Sequence, residues 1–190
     1  MSDNFDDMQI IERVIKGDTE AFAAIIERYR DQVLRYVRSK FDNHDEVMDI
    51  TQDVFMMAFE SLGSFRGDSK FSTWLYSITV NYCKNYRKRM NRVRTVSIEK
   101  NEEENSEFQL ADERQNTEQA IIDKDSLRIV KEELYQLPED YREILILRDI
   151  EGMSYNEISG ILGITLSNVK VRIHRGREQL KERLQEKGLL

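Results

Sequence analysis

The sequence has one cysteine, one proline, eight glycines and two histidines in 190 residues. No apolar run approaches the roughly eighteen residues of a membrane-spanning helix, so no membrane insertion is expected. A lone Cys83 cannot form an internal disulfide, which fits a reducing compartment. It reads as a small core thiol. The first residues, Met1 to Asp7, are acidic and lack a basic-then-apolar export signal, so the chain is expected to be cytoplasmic. Scarce Gly and Pro leave too few turn formers for an all-β chain. With only His44 and His174, and no phosphate-binding Gly-rich loop, no catalytic or metal-dependent centre is expected. What is present, 34% charged and 39% hydrophobic residues, suits one mid-sized helical domain or two small ones.

The net charge of -7 conceals a block pattern. Residues 1–62 carry 7 basic and 14 acidic side chains, and residues 63–96 carry 8 basic and 1 acidic. Residues 97–120 return to 2 basic and 8 acidic. Residues 121–190 are nearly balanced, 12 against 13, yet six of their bases lie between Lys170 and Arg183. Two compact basic segments in an acidic chain can meet phosphate locally, whatever the average charge.

Apolar periodicity is helical almost throughout. Phe22, Ile25, Ile26, Tyr29, Val33, Tyr36 and Val37 mark one amphipathic helix. Val47, Ile50, Val54, Ala58 and Leu62 mark a second, opened by Asp45 and Glu46 at its positive dipole end. After a loop at 63–68, Phe71, Trp74, Leu75, Ile78 and Tyr82 mark a third, which runs into bases ending near Arg94. Between Ser97 and Glu118 the pattern collapses into a charged stretch that cannot offset its own ordering entropy. Helicity then resumes until Leu137 and restarts at Pro138. The expectation is an all-α chain of two small helical domains, 1–96 and 118–190, joined by an acidic flexible linker at 97–117.

The last fifty residues hold the sharpest pattern. Ser154 and Glu157 form a capping-box signature, Gly163 supplies a turn, and a longer helix from about Thr165 buries Val169, Ile173, Gly176, Leu180 and Leu184. Helix, glycine turn and longer helix make a helix-turn-helix, whose second helix fits a major groove. Lys170, His174, Arg177 and Lys181 form a stripe on its outer side, flanked by Val171 and Arg175. Such a stripe also describes a solvated surface, but the box and turn ahead of it favour DNA.

The second constellation is FRGDSKFSTWLY (65–76) and the run from Lys84 to Arg94, with six bases and no acid. Aromatic rings beside a basic helix suit unstacked single-stranded bases. Phe71, Trp74 and Ile78 have core spacing, whereas the 65–69 loop and Tyr76 are less well explained by core packing.

With these residues in view, FRGDSKFSTWLYSITVN (65–81) and the preceding DITQDVFMMAFESL (49–62) resemble region 2 of the extracytoplasmic-function (group IV) sigma factors of the sigma-70 family. LPEDYREILILRDIEGMSYNEISGILGITLSNVKVRIHRGREQL (137–180) resembles their region 4. The resemblance implies a bacterial initiation factor, acting at the nucleoid, whose partners are core RNA polymerase, promoter DNA and an anti-sigma factor, with no cofactor. In that family the helix carrying Asp49, Gln52, Asp53 and Met56 docks on the clamp helices of the largest polymerase subunit. Phe55, Met56 and Phe59 make this helix apolar on more than one side. A divalent metal at its spaced carboxylates has no supporting His or Gly-rich loop.

The resemblance also implies that the loop Phe65, Arg66, Gly67, Asp68 and Ser69 captures a flipped base of the -10 element. Asn81 would read a base edge, and Lys84, Arg87, Lys88 and Arg89 would hold adjoining phosphates. The -35 element would be read as duplex by Lys170, Val171, His174 and Arg175, with Ser167 at the helix entry and Arg172 and Arg177 on the backbone. Family members often have Gly-Thr where this chain has Ser167-Asn168, and a small hydroxyl residue where it has Val171, which offers a surface to a thymine methyl. The competing expectation is a stand-alone helix-turn-helix regulator, which usually dimerises across two half-sites. No dedicated dimerisation helix is visible, so the free protein is expected to be a monomer. Charge complementarity further predicts that residues 99–118 fold back on the 84–94 basic run.

Overall fold

A computed structural model describes residues 2–96 and 118–189, with side chains for 6–92 and 126–189. The described residues are all-α, and the chain forms two compact units divided between residues 105 and 106. That division, the acidic stretch 97–117, the side chain of Arg94 and the fold-back expected of residues 99–118 lie outside the described residues. Among the described residues, no helix is long and apolar enough to cross a membrane.

The first unit contains α1 (Ser2–Ile15), α2 (Phe22–Arg38), α3 (His44–Glu60) and α4 (Phe71–Val96). Helix α2 packs against α3, and Ile25, Val33 and Val37 of the first and Val47, Ile50, Val54 and Ala58 of the second are almost completely buried. Each large aliphatic side chain so buried contributes about 1.5–3 kcal/mol. Asn43 caps α3 by accepting from the Glu46 amide at 3.0 Å, and Asp45 and Glu46 follow in its first turn. Helix α4 packs against both α2 and α3, so it is buried around much of its girth: Phe71, Thr73, Leu75, Tyr76, Thr79, Val80 and Cys83 all face inward. Ile26, expected in the α2 stripe, is exposed instead.

Helix α1 is an element the apolar spacing of the sequence did not announce. It adds Ile11 and Val14 to the core and is pinned by a buried carboxylate, Asp7. The Tyr29 hydroxyl donates to Asp7 at 2.5 Å, and Arg28 donates to Asp7 and Asp6, each at 2.5 Å.

The second unit contains α5 (Glu118–Tyr135), α6 (Glu139–Leu145), α7 (Tyr155–Leu162) and α8 (Leu166–Glu186). Pro138 stands at the N-cap of α6, one residue outside the first turn where the sequence placed it. Ile144, Leu145, Ile146 and Leu147 are all buried because α6 runs through the middle of the unit and continues into one wide π-helical turn, Ile146–Ile150. Its closing hydrogen bond runs from the Glu151 amide to the Ile146 carbonyl at 3.0 Å. Helix α8 crosses α6 at Gly176, where an added methyl group would lie 3.2 Å from Tyr141 Cβ and 3.3 Å from Leu145. Glycine there permits close approach of the two helices. Arg183 donates to the buried Glu133 of α5 at 2.8 Å, tying α8 to that helix.

Candidate nucleic-acid interface

The outward face of α3 follows from its buried stripe. With Val47, Ile50, Thr51, Val54 and Ala58 inward, Asp49, Gln52 and Met56 point to solvent, Met56 at 53% exposure. Met48 and Met57 are exposed beside them. Phe55 corrects the expectation: it is buried, so the second apolar side of α3 is made by methionines and by Phe59. Phe59 rests edge-on against Phe22, with centroids 5.2 Å apart. Asp53 is half-buried and accepts a short hydrogen bond from the Tyr82 hydroxyl of α4.

Tyr82 and its neighbour Tyr86 join these candidate residues, a connection that the sequence does not reveal. Arg89 donates to the Tyr82 hydroxyl at 3.3 Å, and its guanidinium lies 5.7 and 5.5 Å from the Tyr82 and Tyr86 ring centroids. Burial, then the hydrogen bond to Asp53, pushes the Tyr82 phenol above its ordinary value. Burial, then Glu46, does the same to Tyr86. The outer carboxylates of α3 and the basic end of α4 therefore meet across two tyrosines.

The 65–69 loop divides into an anchor and an exposed rim. Phe65 is buried against Phe71 and Trp74, each at 5.4 Å between centroids. Tyr76 is also core: it donates to the Gln32 carbonyl at 3.2 Å and packs edge-on to Tyr36 at 5.8 Å. Core packing thus accounts for both aromatics, contrary to expectation. Arg66, Gly67, Asp68 and Ser69 are exposed, and Gly67 takes a left-handed conformation with φ +77°. On α4, Asn81, Lys84, Lys88 and Arg89 are exposed. Arg87 is half-buried; it donates to the Lys40 carbonyl at 2.8 Å and sits 5.6 Å from the Phe41 centroid.

In the second unit the helix-turn-helix is built as its sequence signals require. The Ser154 hydroxyl accepts from the Glu157 amide at 3.2 Å, and the Glu157 carboxylate accepts from the Ser154 amide at 2.8 Å. Gly163 terminates α7 at φ 68°, and Thr165 caps α8 by accepting from the Asn168 amide at 3.2 Å. Val169, Ile173, Gly176 and Leu184 are buried. Ser167, Lys170, Val171, His174 and Arg175 are exposed on the other side, Val171 at 44%.

The two arginines assigned to the DNA backbone have partners within the unit. Arg172 lies 3.2 Å from Asp140 and donates through Nε to Asn168 at 3.2 Å. Arg177 donates through Nε to Asp149 at 3.1 Å and through Nη2 to its other oxygen, and hydrogen bonding to that carboxylate raises the guanidinium's proton affinity. His174 approaches Glu178 at 3.1 Å. A cleft of about 380 Å³ separates the start of α6 from this face, lined by Asp140, Asn168, Val171, Arg172 and Arg175 among others. Asp140 and Asp149 were absent from the expected site, since nothing in their spacing links them to α8. Among the described residues, no three His, Cys, Asp or Glu side chains are grouped to hold a metal ion.

The family model for Sigma-70 region 2 matches residues 25–93, and that for Sigma-70 region 4 matches residues 127–180. The chain is 38% identical over 187 residues to the ECF RNA polymerase sigma-E factor of Escherichia coli (strain K12), covering 97% of each chain. It is 35% identical over 182 residues to the RNA polymerase sigma-H factor of Pseudomonas aeruginosa, covering 94% of each. Among solved structures it is similar to the sigma factor RpoE in complex with the anti-sigma factor NepR from Bartonella quintana. That match has 26% identity and a TM-score of 0.67, covering 86% of this chain and 96% of that one. It is also similar to CnrH in complex with the cytosolic domain of CnrY, with 25% identity and a TM-score of 0.62, covering 93% and 96% respectively. The chain belongs to the extracytoplasmic-function sigma factors of the sigma-70 family, which are transcription initiation factors and not enzymes.

Proposed function

We propose that this sigma factor binds core RNA polymerase through α3, reads a -35 element as duplex with α8, and captures unstacked -10 bases with the 65–69 loop and α4. The observation that carries the reading is the division of α8 into two faces. Val169, Ile173 and Gly176 are locked into the unit, while Lys170, Val171, His174 and Arg175 face outward on a capped, rigid helix. A helix held this way can present base-reading side chains in a major groove at fixed register. Arg175 offers bidentate donors to a guanine edge, and Val171 offers a methyl contact to thymine.

Capture at -10 needs no covalent step. Unstacking a base costs a few kcal/mol, and a pocket returns it through stacking and hydrogen bonds. Arg66, Asp68 and Ser69 supply exposed donors and acceptors, and Asn81 offers both to a base edge. Lys84, Lys88 and Arg89 are placed for phosphates, with Arg87 bracing the helix from its half-buried position. Docking falls to Asp49, Gln52, Asp53 and Met56. Residues 1–96 then serve as region 2, 118–190 as region 4, and 97–117 as the acidic connection. RpoE of Bartonella quintana is held by an anti-sigma factor, and we infer an anti-sigma partner for this protein too, in the cytoplasm.

Two substitutions separate the sites. Arg175→Ala lowers -35 duplex affinity by about 1–3 kcal/mol and relaxes base preference at one position. Asp53→Ala lowers core polymerase affinity and leaves -35 duplex binding intact. Equal loss of both activities in either variant would show the roles to be misassigned.

A further inference from the structure

We propose that Asp7 and Met8 of α1 are positioning residues for the 65–69 loop, bracing it for base capture; this rests on the reading of that loop given above. Helix α1 precedes residues 25–93, the part matched to region 2, and none of its residues belongs to the docking or DNA-contacting sets.

Two contacts run from α1 to the loop. Directly, the Met8 thioether lies against Gly67: a methyl group built on that glycine would stand 3.6 Å from Met8 Cε and 3.7 Å from Sδ. Gly67 is the loop residue with φ +77°, so Met8 meets the loop at the residue whose backbone is least able to hold itself. Helix α1 also packs on the short helical turn Leu62–Ser64 that leads into the loop. Indirectly, Asp7 is 1% exposed and accepts from the Tyr29 hydroxyl at 2.5 Å. The Tyr29 ring packs on Phe71 at 5.4 Å, and Phe71 packs on the loop's own Phe65 at 5.4 Å. One end of the loop is thus tied to α1 through three rings and a buried carboxylate, and its middle rests on a methionine.

This arrangement addresses a specific need. The rim residues Arg66, Gly67, Asp68 and Ser69 are exposed and, apart from a 3.3 Å bond from Ser69 to the Lys70 carbonyl, little in the loop itself fixes them. A capture site must hold its geometry to well within an ångström, and supporting residues behind it supply that rigidity. A methionine suits this place because its thioether conforms to a glycine backbone without demanding one shape.

The test uses the full-length protein with core RNA polymerase and a promoter selected from a random library by the wild-type holoenzyme. Core affinity, -35 duplex affinity, thermal stability and permanganate reactivity of -10 thymines are measured for Met8→Ala, Met8→Leu, Asp7→Asn and Arg66→Ala. The expected result is that Met8→Ala and Asp7→Asn lower -10 reactivity about tenfold, as loosening of a supporting shell does, with core and -35 affinities unchanged. Met8→Leu restores reactivity to within about twofold of wild type, since it refills the same space. A normal -10 signal in Met8→Ala beside a defect in Arg66→Ala overturns the brace and leaves the loop reading standing. Loss of core and -35 affinity together with -10 reactivity overturns it as well, because α1 would then act only through global stability. No defect in Arg66→Ala overturns the loop reading and the brace with it.

Discussion

Arg172 and Arg177 stand on α8 with acids of the same unit beside them, Asp140 at 3.2 Å and Asp149 at 3.1 Å. Asp140 and Asp149 are exposed and Arg172 is half-buried, and ion pairs open to solvent on one side contribute about 1 kcal/mol. A phosphate can therefore displace either carboxylate at small cost. On the proposed reading of α8, the two acids compete with DNA for these guanidinium groups. Asp149→Asn removes one of them and is expected to raise -35 duplex affinity up to about fivefold. Arg177→Ala is expected to lower that affinity and reduce the slope of log affinity against log salt by about 0.9. Fluorescence anisotropy across a salt series reads both effects. An unchanged slope in Arg177→Ala would make the Asp149 pair a structural clasp with no DNA role. None of this was legible in the sequence, where spacing along one helix shows which side a residue occupies but not which acid from another element reaches it.

At the scale of elements, the signals that were legible are those whose physics is local. Ser154 with Glu157, and Gly163 after Leu162, each satisfy backbone groups within a few residues, and each appears as its chemistry requires. The buried stripes of α2, α3 and α8 were legible from their helical period, apart from Ile26, which is exposed, and Leu180, which is half-buried. Helix α4 lies against both α2 and α3, and Tyr76, which falls outside the obvious stripe, is buried against Tyr36 of α2. Helix α1 was missed because its anchor is a carboxylate, and no pattern of apolar residues reveals a buried aspartate. The π turn after α6 begins inside the apolar run 144–147, which carries no period to mark the change. Gly176 offers a test of the packing between α6 and α8. An alanine there gains about 1 kcal/mol of helix propensity but must push aside Tyr141 Cβ and Leu145 across a tight crossing. Tyr141 Cβ is fixed to its backbone and cannot rotate away. The expected net effect of Gly176→Ala is a loss of about 1 kcal/mol in thermal or urea unfolding of the second unit. A gain in stability would show that the two helices are less closely committed to each other.

For the whole molecule, charge is distributed against its own average. The sequence pI of about 5.1 describes an anion, yet the exposed bases of α4 and α8 are gathered where the two nucleic-acid contacts are proposed. The exposed acids and methionines of α3 are proposed to face a different partner. One chain can then be steered by phosphate at two places and by protein at a third. Promoter selectivity is accordingly expected to be expressed in the assembly with polymerase. The most direct measurement mixes the full-length protein with bacterial core RNA polymerase and a fluorescent promoter library, and scores retained DNA with and without core. The predicted result is selective retention that requires core, with -10 thymines becoming reactive to a single-strand probe. Tight, sequence-specific duplex binding by the protein alone, indifferent to core and without -10 reactivity, would contradict it.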